Sequence, residues 1–159
     1  EAFDGIIGRH GVEKIKTIGD AYMCVGGLPD PDSSTPTSVV HAALEMQEFM
    51  SVRRKEHDAL GTPSFEMRVG IHTGPVVAGI VGVKKFQYDI WGDTVNTASR
   101  MESSGAVGRV NISETTYELV KNAADPLGNP AFVFTPRGKV EAKGKGEMEM
   151  YFVESSSNR

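Results

Sequence analysis

The 159-residue chain has the length and composition of one globular domain, with 39% hydrophobic and 24% charged residues. Its formal net charge of −4 argues against a general nucleic-acid-binding surface, because such surfaces neutralise phosphates with an excess of Lys and Arg. Cys24 is the single cysteine, which excludes an intrachain disulfide and favours a reducing compartment, so we expect a cytoplasmic domain.

The first predicted element is the end of a helix, because Phe3, Ile6 and Ile7 recur at helical spacing and Gly11 stands where a helix would stop. Since the beginning of this helix is absent, we expect a domain truncated at its N-terminus. No apolar stretch approaches the roughly 18 to 20 residues of a membrane span, and no signal peptide is recognisable. We therefore expect no direct membrane contact from this segment, although the full-length protein could be membrane-attached.

Two short strands are predicted between Val12 and Val25, joined at the turn pair Gly19-Asp20. Asp20 stands at the tip, where a rigid hairpin can present its carboxylate to a hard cation such as Mg²⁺. Lys16 lies at the mouth of the same hairpin. On local evidence alone these residues also fit a plain turn former and a solvated strand residue, since Asp beside Gly is common in turns.

A long helix with one buried face is predicted from Val39 to Leu60, after a loop rich in Pro, Asp and Ser. Thr37 or Ser38 can cap its first turn. His41 and His57 on this helix have no partners at metal-ligand spacing, so we expect both to be surface residues.

Two strands are predicted next. Phe65 to His72 alternates apolar and polar residues, which indicates a strand with one apolar face. Val76 to Val83 is nearly continuously apolar, which favours a strand that is covered on both faces and paired with the preceding one. Gly74 and Gly79 are not followed by Lys-Ser/Thr, so the nucleotide P-loop pattern is excluded.

A shorter helix from Thr94 to about Ser103 carries a second polar group. Asn96 and Arg100 are four residues apart, which places both side chains on one face. Asp93 can cap the start of this helix.

Two C-terminal strands flank a turn in which basic residues alternate with glycines. Lys143 and Lys145 in this turn could solvate a hairpin, but ammonium groups on a glycine-rich turn also suit a polyphosphate. Together the elements predict an α/β or α+β sandwich, with helices packed on a sheet.

Four segments distributed over nearly the whole chain carry a family resemblance: Lys14-Ile-Lys-Thr-Ile-Gly-Asp20, Gly70-Ile-His-Thr-Gly-Pro-Val-Val-Ala-Gly79, Tyr88-Asp-Ile-Trp-Gly-Asp-Thr-Val-Asn-Thr-Ala-Ser-Arg-Met101 and Lys143-Gly-Lys-Gly146. They resemble the catalytic domain of class III nucleotidyl cyclases, the adenylyl and guanylyl cyclases. The resemblance implies a single domain over residues 1–159 with a ferredoxin-like fold, an antiparallel-rich sheet with helices packed on it. It also implies a head-to-tail homodimer, or a heterodimer with another cyclase domain, whose active sites lie at the interface.

The same resemblance implies a preference for ATP. Lys16 and Asp89 match the positions that read the base, which are Lys and Asp in adenylyl cyclases. Guanylyl cyclases usually have Glu at the first position and commonly Cys at the second. Lys16 as donor and Asp89 as acceptor therefore favour adenine over guanine.

The remaining site residues are also assigned by resemblance. Asp20 matches one of two carboxylates that hold a pair of Mg²⁺ or Mn²⁺ ions. Asn96 matches the residue that orients the ribose, and Arg100 the one that stabilises charge on the transferring phosphorus. Lys143, with Lys145 as second choice, matches the lysine that holds the terminal phosphates.

The implied reaction is the conversion of ATP to 3′,5′-cyclic AMP and pyrophosphate, by metal-assisted attack of the ribose 3′-oxygen on the α-phosphorus. Family members have a strand and a helix before the region where this chain starts, which carry the other metal-binding Asp and a phosphate-binding turn. We therefore expect this polypeptide alone to be inactive or nearly so. Two alternatives stay open: guanylyl cyclase activity, and a nucleotide-binding or dimerising regulatory domain without turnover.

Overall fold

The computed structural model of the chain describes residues 2–28, 30–63, 66–82 and 87–156. Within these ranges the elements are α1 (Ala2–Arg9), β1 (Glu13–Ile18), β2 (Ala21–Val25), α2 (Pro36–Leu60), β3 (Val69–Ile71), β4 (Val77–Val81), β5 (Gln87–Trp91), α3 (Asp93–Ser103), β6 (Val110–Ser113), α4 (Glu114–Val120), β7 (Phe132–Ala142) and β8 (Gly146–Ser155). Helices thus alternate with antiparallel-rich strands, which confirms the predicted α+β class. None of the helices in the described ranges is both long and apolar enough to cross a bilayer.

The main sheet has four strands in the order β3-β6-β8-β7. β3 runs parallel to β6, while the β6–β8 and β8–β7 pairs are antiparallel. One face packs against α2 and α4, where Val40, Ile112, Val120 and Val153 are each at most 1% exposed. On α3, Met101 packs with Met150 of β8 in a separate buried cluster. Since side chains alternate along a strand, Met150 and Val153 belong to opposite faces, and the sheet separates α3 from α2 and α4.

Two hairpins form sheets of their own. β1 pairs with β2 around the Gly19-Asp20 turn, as predicted, and Gly19 has the positive φ of 57° that this turn needs. β4 pairs with β5, so the expectation that Val76 to Val83 pairs with the preceding strand is wrong.

The expected covering of this strand on both faces is also wrong, because Val77 and Ile80 are 65% and 71% exposed. β3 spans only Val69–Ile71 of the predicted Phe65–His72 strand, and the chain then passes through Gly74-Pro75 into a separate hairpin. The predicted strand ends at positions 65 and 83 lie outside the described residues.

The long helix begins three residues earlier than predicted. Thr35 is its N-cap, and the Thr35 hydroxyl accepts the backbone N–H of Ser38 at 3.1 Å, so the predicted caps Thr37 and Ser38 are wrong. Pro36 occupies the first helical turn, where its missing N–H has no helical partner to lose. The helix ends as predicted at Gly61, which adopts the left-handed conformation with φ 70°.

The expectation of a surface position is wrong for His41, which is half-buried. Its ring lies 6.5 Å from that of His10, nearly parallel, and 4.7 Å from that of Phe132. Burial lowers the pKa of His41 below its ordinary value, so the ring is neutral near pH 7. These contacts fix α2 against the end of α1 and the start of β7.

Truncation of Ile112 to Ala should lower the free energy of unfolding by about 2–5 kcal/mol, because the fully buried side chain fills the centre of the main core. Denaturant titration measures the loss. Leu127→Ala is the control, since this side chain is 86% exposed and its truncation should change stability by less than about 0.5 kcal/mol. Equal losses for the two variants would contradict this placement of the core.

Candidate active site

Lys16 and Asp89, 73 residues apart in the sequence, form an ion pair in the structure. The Lys16 ammonium on β1 donates to Asp89 Oδ2 on β5 at 2.8 Å. Their side chains are only 28% and 10% exposed, so the pair is partly shielded from water. The other oxygen, Asp89 Oδ1, accepts the backbone N–H of Ile90 at 2.8 Å. The pair therefore joins the β1–β2 hairpin to the β4–β5 hairpin.

The charge state of Asp89 follows from these contacts. The hydrogen bond from Lys16 holds the pKa of the Asp89 carboxyl below its ordinary value, burial opposes this shift, and the Ile90 N–H adds to it. The carboxylate is thus ionised at neutral pH and acts as an acceptor. Lys16 acts as a donor, because an ammonium has three N–H groups and no acceptor.

Asp20 lies at the tip of the β1–β2 hairpin, with its side chain exposed. Carboxylate oxygens are the ligands that Mg²⁺ and Mn²⁺ prefer, so Asp20 fits the role of one metal ligand. In the described part of the chain, no group of three or more His, Cys, Asp or Glu side chains is arranged to hold a metal ion.

The helix α3 presents Asn96 and Arg100 on one side, as predicted. Asn96 is exposed and Arg100 is half-buried, whereas their neighbours Thr97 and Met101 are 3% and 0% exposed. The buried positions face the sheet, and this leaves the other two side chains toward the open side of the helix. Both predicted polar residues are therefore accessible to a ligand.

The predicted cap of α3 is wrong. Gly92 is the N-cap and no side chain caps the helix, because the Asp93 carboxylate instead pairs with Lys145. Lys145 belongs to the turn between β7 and β8, so this ion pair holds the glycine-rich turn against the start of α3. Lys143, in the same turn, is exposed, and no ion pair to it is found among the described residues. Of the two lysines, Lys143 is the one free to meet a ligand.

A cleft of about 420 Å³ opens between the end of β3 and the start of α3. Its lining includes His72, Thr73, Trp91, Asp93 and Thr94. None of these residues was predicted from the sequence to belong to the site. For Trp91 a signal was available, since it lies two residues beyond Asp89 and therefore on the same face of β5.

His72 in this cleft is fixed by the sheet. Its Nδ1 lies 2.7 Å from the hydroxyl of Ser113, at the end of β6. Burial lowers the pKa of His72, and the charge of Lys145 lowers it further. The imidazole is therefore neutral at physiological pH and contributes polar atoms, but no charge, to the cleft.

Comparison with known proteins identifies the family to which this fold belongs. The sequence model of the adenylate and guanylate cyclase catalytic domain matches residues 1–155. The chain belongs to this family, whose members are lyases that form cyclic nucleotides.

Relatives of both specificities are similar over nearly the whole chain. The guanylate cyclase soluble subunit beta-2 of Rattus norvegicus is 45% identical over 98% of this chain and 21% of its own length. An adenylate cyclase of Mycobacterium tuberculosis is 42% identical over 96% of this chain and 32% of its own length. The chain thus spans about a fifth to a third of these curated relatives.

Among solved structures, the adenylyl cyclase CyaB from P. aeruginosa superposes with a TM-score of 0.84 at 28% identity. The match covers 98% of this chain and 78% of that one. This agreement confirms the predicted cyclase fold.

Replacement of Lys16 by Met should raise the pKa of the Asp89 carboxyl. The substitution removes the hydrogen bond that lowers this pKa, while the burial that raises it remains. A lowered folded-state pKa stabilises the protein above the unfolded-state pKa of Asp, and this contribution is lost as the pH falls through the folded-state value. Lys16→Met should therefore flatten the acid side of the stability profile.

NMR titration of the Asp89 carboxyl carbon measures this shift. Lys14→Met is the matched control on the same strand, since Lys14 lies 4.0 Å from Asp4 rather than beside Asp89. A shift of the same size in both variants would show that the Lys16–Asp89 hydrogen bond is not the cause.

Proposed function

We propose that this chain is the catalytic domain of an adenylyl cyclase, which converts ATP to 3′,5′-cyclic AMP and pyrophosphate. Overall similarity does not separate the two specificities, because the identities to a guanylate and an adenylate cyclase are 45% and 42%. The observation that carries the proposal is the ion pair between Lys16 and Asp89.

The chemistry of this pair favours adenine. Adenine has a ring-nitrogen acceptor beside its amino donor, whereas guanine has an N–H donor beside a carbonyl acceptor. An ammonium placed at the ring nitrogen and a carboxylate placed at the amino group match adenine. With guanine the same arrangement would oppose donor to donor and acceptor to acceptor, which is a strong basis for rejection.

The mutual hydrogen bond leaves both groups able to bind a base. Lys16 uses one of three N–H donors on Asp89, and a carboxylate has about four lone-pair positions, of which Asp89 uses two on Lys16 and Ile90. The base can therefore be received by groups that are already oriented. This reduces the ordering cost of binding.

The other residues act on the sugar and the phosphates. We assign Asn96 to orienting the ribose, so that its 3′-oxygen faces the α-phosphorus. The 3′-hydroxyl gives up its proton to solvent and its oxygen forms a bond to this phosphorus, the bond to the bridging oxygen breaks, and pyrophosphate leaves with the electron pair. Arg100 stabilises the charge on the phosphoryl oxygens during this step, because its planar guanidinium stays ionised and fits phosphate oxygens. Lys143 holds the terminal phosphates.

Asp20 is proposed to hold the catalytic metal, Mg²⁺ or Mn²⁺ with two ions per site. When bound, such ions supply Lewis-acid stabilisation and make the ribose hydroxyl more acidic. We propose that Asp20 is one of two metal-binding carboxylates and that this chain alone has little activity.

The domain is proposed to work as a homodimer, or as a heterodimer with another cyclase domain. In this arrangement Lys16 serves one active site and Asp20 of the same hairpin serves the other. Exposed apolar residues support an interface on the β4–β5 hairpin, where Val77, Ile80 and Trp91 are 65%, 71% and 40% exposed.

The protein that contains these residues should form cyclic AMP from ATP and discriminate against GTP by about 100-fold or more in kcat/KM. Parallel assays of the two cyclic products measure this ratio. The double variant Lys16→Glu with Asp89→Cys should reverse the preference toward GTP. Predominant formation of cyclic GMP by the unchanged protein would establish guanylyl cyclase activity instead, and absence of both products would favour a regulatory domain without turnover.

Replacement of Arg100 by Ala should lower kcat by about 10²- to 10³-fold with little change in ATP binding, because the contact stabilises the transition state. Steady-state kinetics and equilibrium binding of ATP together measure this. Arg54→Ala is the control: Arg54 on α2 pairs with Glu66 at 3.7 Å and has no proposed role in the reaction. Equal weakening of turnover and binding would contradict the role assigned to Arg100.

A further inference from the structure

The C-terminal end of α3 is held by side chains of the main sheet. An α-helix leaves its last four carbonyls without intrahelical partners. In α3 the Met101 carbonyl accepts from Asn111 Nδ2 at 2.9 Å, and the carbonyl of the C-cap residue Ser104 accepts from Arg137 Nη1 at 2.8 Å. Ser104 has φ −90° rather than the left-handed conformation that ends α2, so these side chains take over part of the capping.

Asn111 is fully buried, and all its polar atoms are engaged. Its Oδ1 accepts from Arg137 Nη1 at 3.0 Å, while Nδ2 also lies 3.3 Å from the sulfur of Met150. A buried amide is costly without hydrogen bonds, so this network permits one orientation of the side chain. The network runs from Arg137 on β7 through Asn111 on β6 to the helix.

Arg137 is itself fixed in place. Its guanidinium lies 4.2 Å from the ring centroid of Phe152 on β8, and a cation near the C-terminus of a helix interacts favourably with the helix dipole. The guanidinium thus binds the helix end both through a hydrogen bond and through its charge.

The third contact to the end of α3 joins the backbone of β3 to the backbone of the helix. A Cβ built on Gly70 of β3 would lie 2.0 Å from the nitrogen of Glu102 and 2.4 Å from the carbonyl carbon of Met101. No side chain fits in this space, so strand and helix touch directly. Residues 101–104 are therefore fixed by three strands at once, and Arg100 is the residue immediately before them.

We propose that Asn111 and Arg137 are positioning residues for the cyclisation reaction, which hold the end of α3 so that Arg100 meets the transferring phosphorus. The inference rests on the proposed function of Arg100. Neither residue is assigned a contact with the nucleotide. Their effect is transmitted through the backbone of α3.

Asn111→Asp tests this inference with a side chain of the same size. The aspartate keeps an acceptor for Arg137 but replaces the donor to the Met101 carbonyl by a second acceptor, which repels it. In the protein that contains these residues, kcat should fall by about 100-fold, with little change in the KM for ATP. In an Arg100→Ala background the same substitution should lower kcat little further, because both substitutions remove the same contribution of Arg100 to the reaction. A full additional loss in that background would overturn the inference.

Hydrogen exchange provides a readout that does not need activity. In Asn111→Asp the amides at the end of α3 should exchange faster, while those of α4 should be unchanged. Val120→Ala, which truncates a fully buried residue of α4, is the control for general destabilisation and should leave kcat unchanged. Unaltered exchange in α3 would overturn the inference.

Arg137→Lys is the milder variant, in case Asn111→Asp does not fold. A lysine keeps the positive charge but loses the planar guanidinium, whose Nη1 donates to both Ser104 and Asn111 and which lies over the Phe152 ring. We therefore expect kcat to fall less than in Asn111→Asp and KM to stay the same. An unchanged kcat would overturn the inference. If the unchanged protein forms no cyclic nucleotide, the proposed function fails, and the exchange measurement still decides whether the helix is held in this way.

Discussion

The charge-assisted hydrogen bond between Lys16 and Asp89 is the interaction on which the proposed site depends. It connects two hairpins that, in the described part of the chain, belong to separate two-stranded sheets. The groups proposed to read the base therefore also set the position of β1–β2 relative to β4–β5. With Asp89 only 7% exposed, removal of Lys16 leaves a buried carboxylate without its main partner, which is costly. A substitution at either residue is therefore expected to alter both the proposed base selection and the relative position of the two hairpins.

The β1–β2 hairpin combines two kinds of chemistry within five residues. Lys16 is proposed to read the base, and Asp20 at the tip is the proposed metal ligand. Lys16 belongs to the antiparallel ladder and Asp20 to the turn that closes it, so a displacement of the tip is transmitted to Lys16. In the proposed dimer these two side chains serve different active sites. A single hairpin then links the metal of one site to the base of the other.

Features with a local cause were predictable from the sequence, and features with a distant cause were not. The turn at Gly19-Asp20 and the opposite faces of α3 follow from backbone freedom and from helical spacing, which involve neighbouring residues. The predicted cap by Asp93 fails because Lys145, 52 positions later, competes for its carboxylate. Likewise, the apolar composition of β4 does not reveal whether this chain or a partner covers it. Lys16 and Asp89 were selected by resemblance, and the structure adds that they touch.

Both ends of α3 are bound by the same long hairpin, formed by β7 and β8. Lys145 in its turn pairs with Asp93 at the start of the helix, and Arg137 on β7 binds the last turn. Asn96, Arg100 and the turn residue Lys143 thus form one unit that is proposed to handle the sugar and the phosphates. The pair proposed to read the base belongs to the two small hairpins instead. Gly92, with φ 124°, joins β5 directly to α3. In the proposed reaction, this glycine therefore sets the strand that carries Asp89 against the helix that carries Arg100.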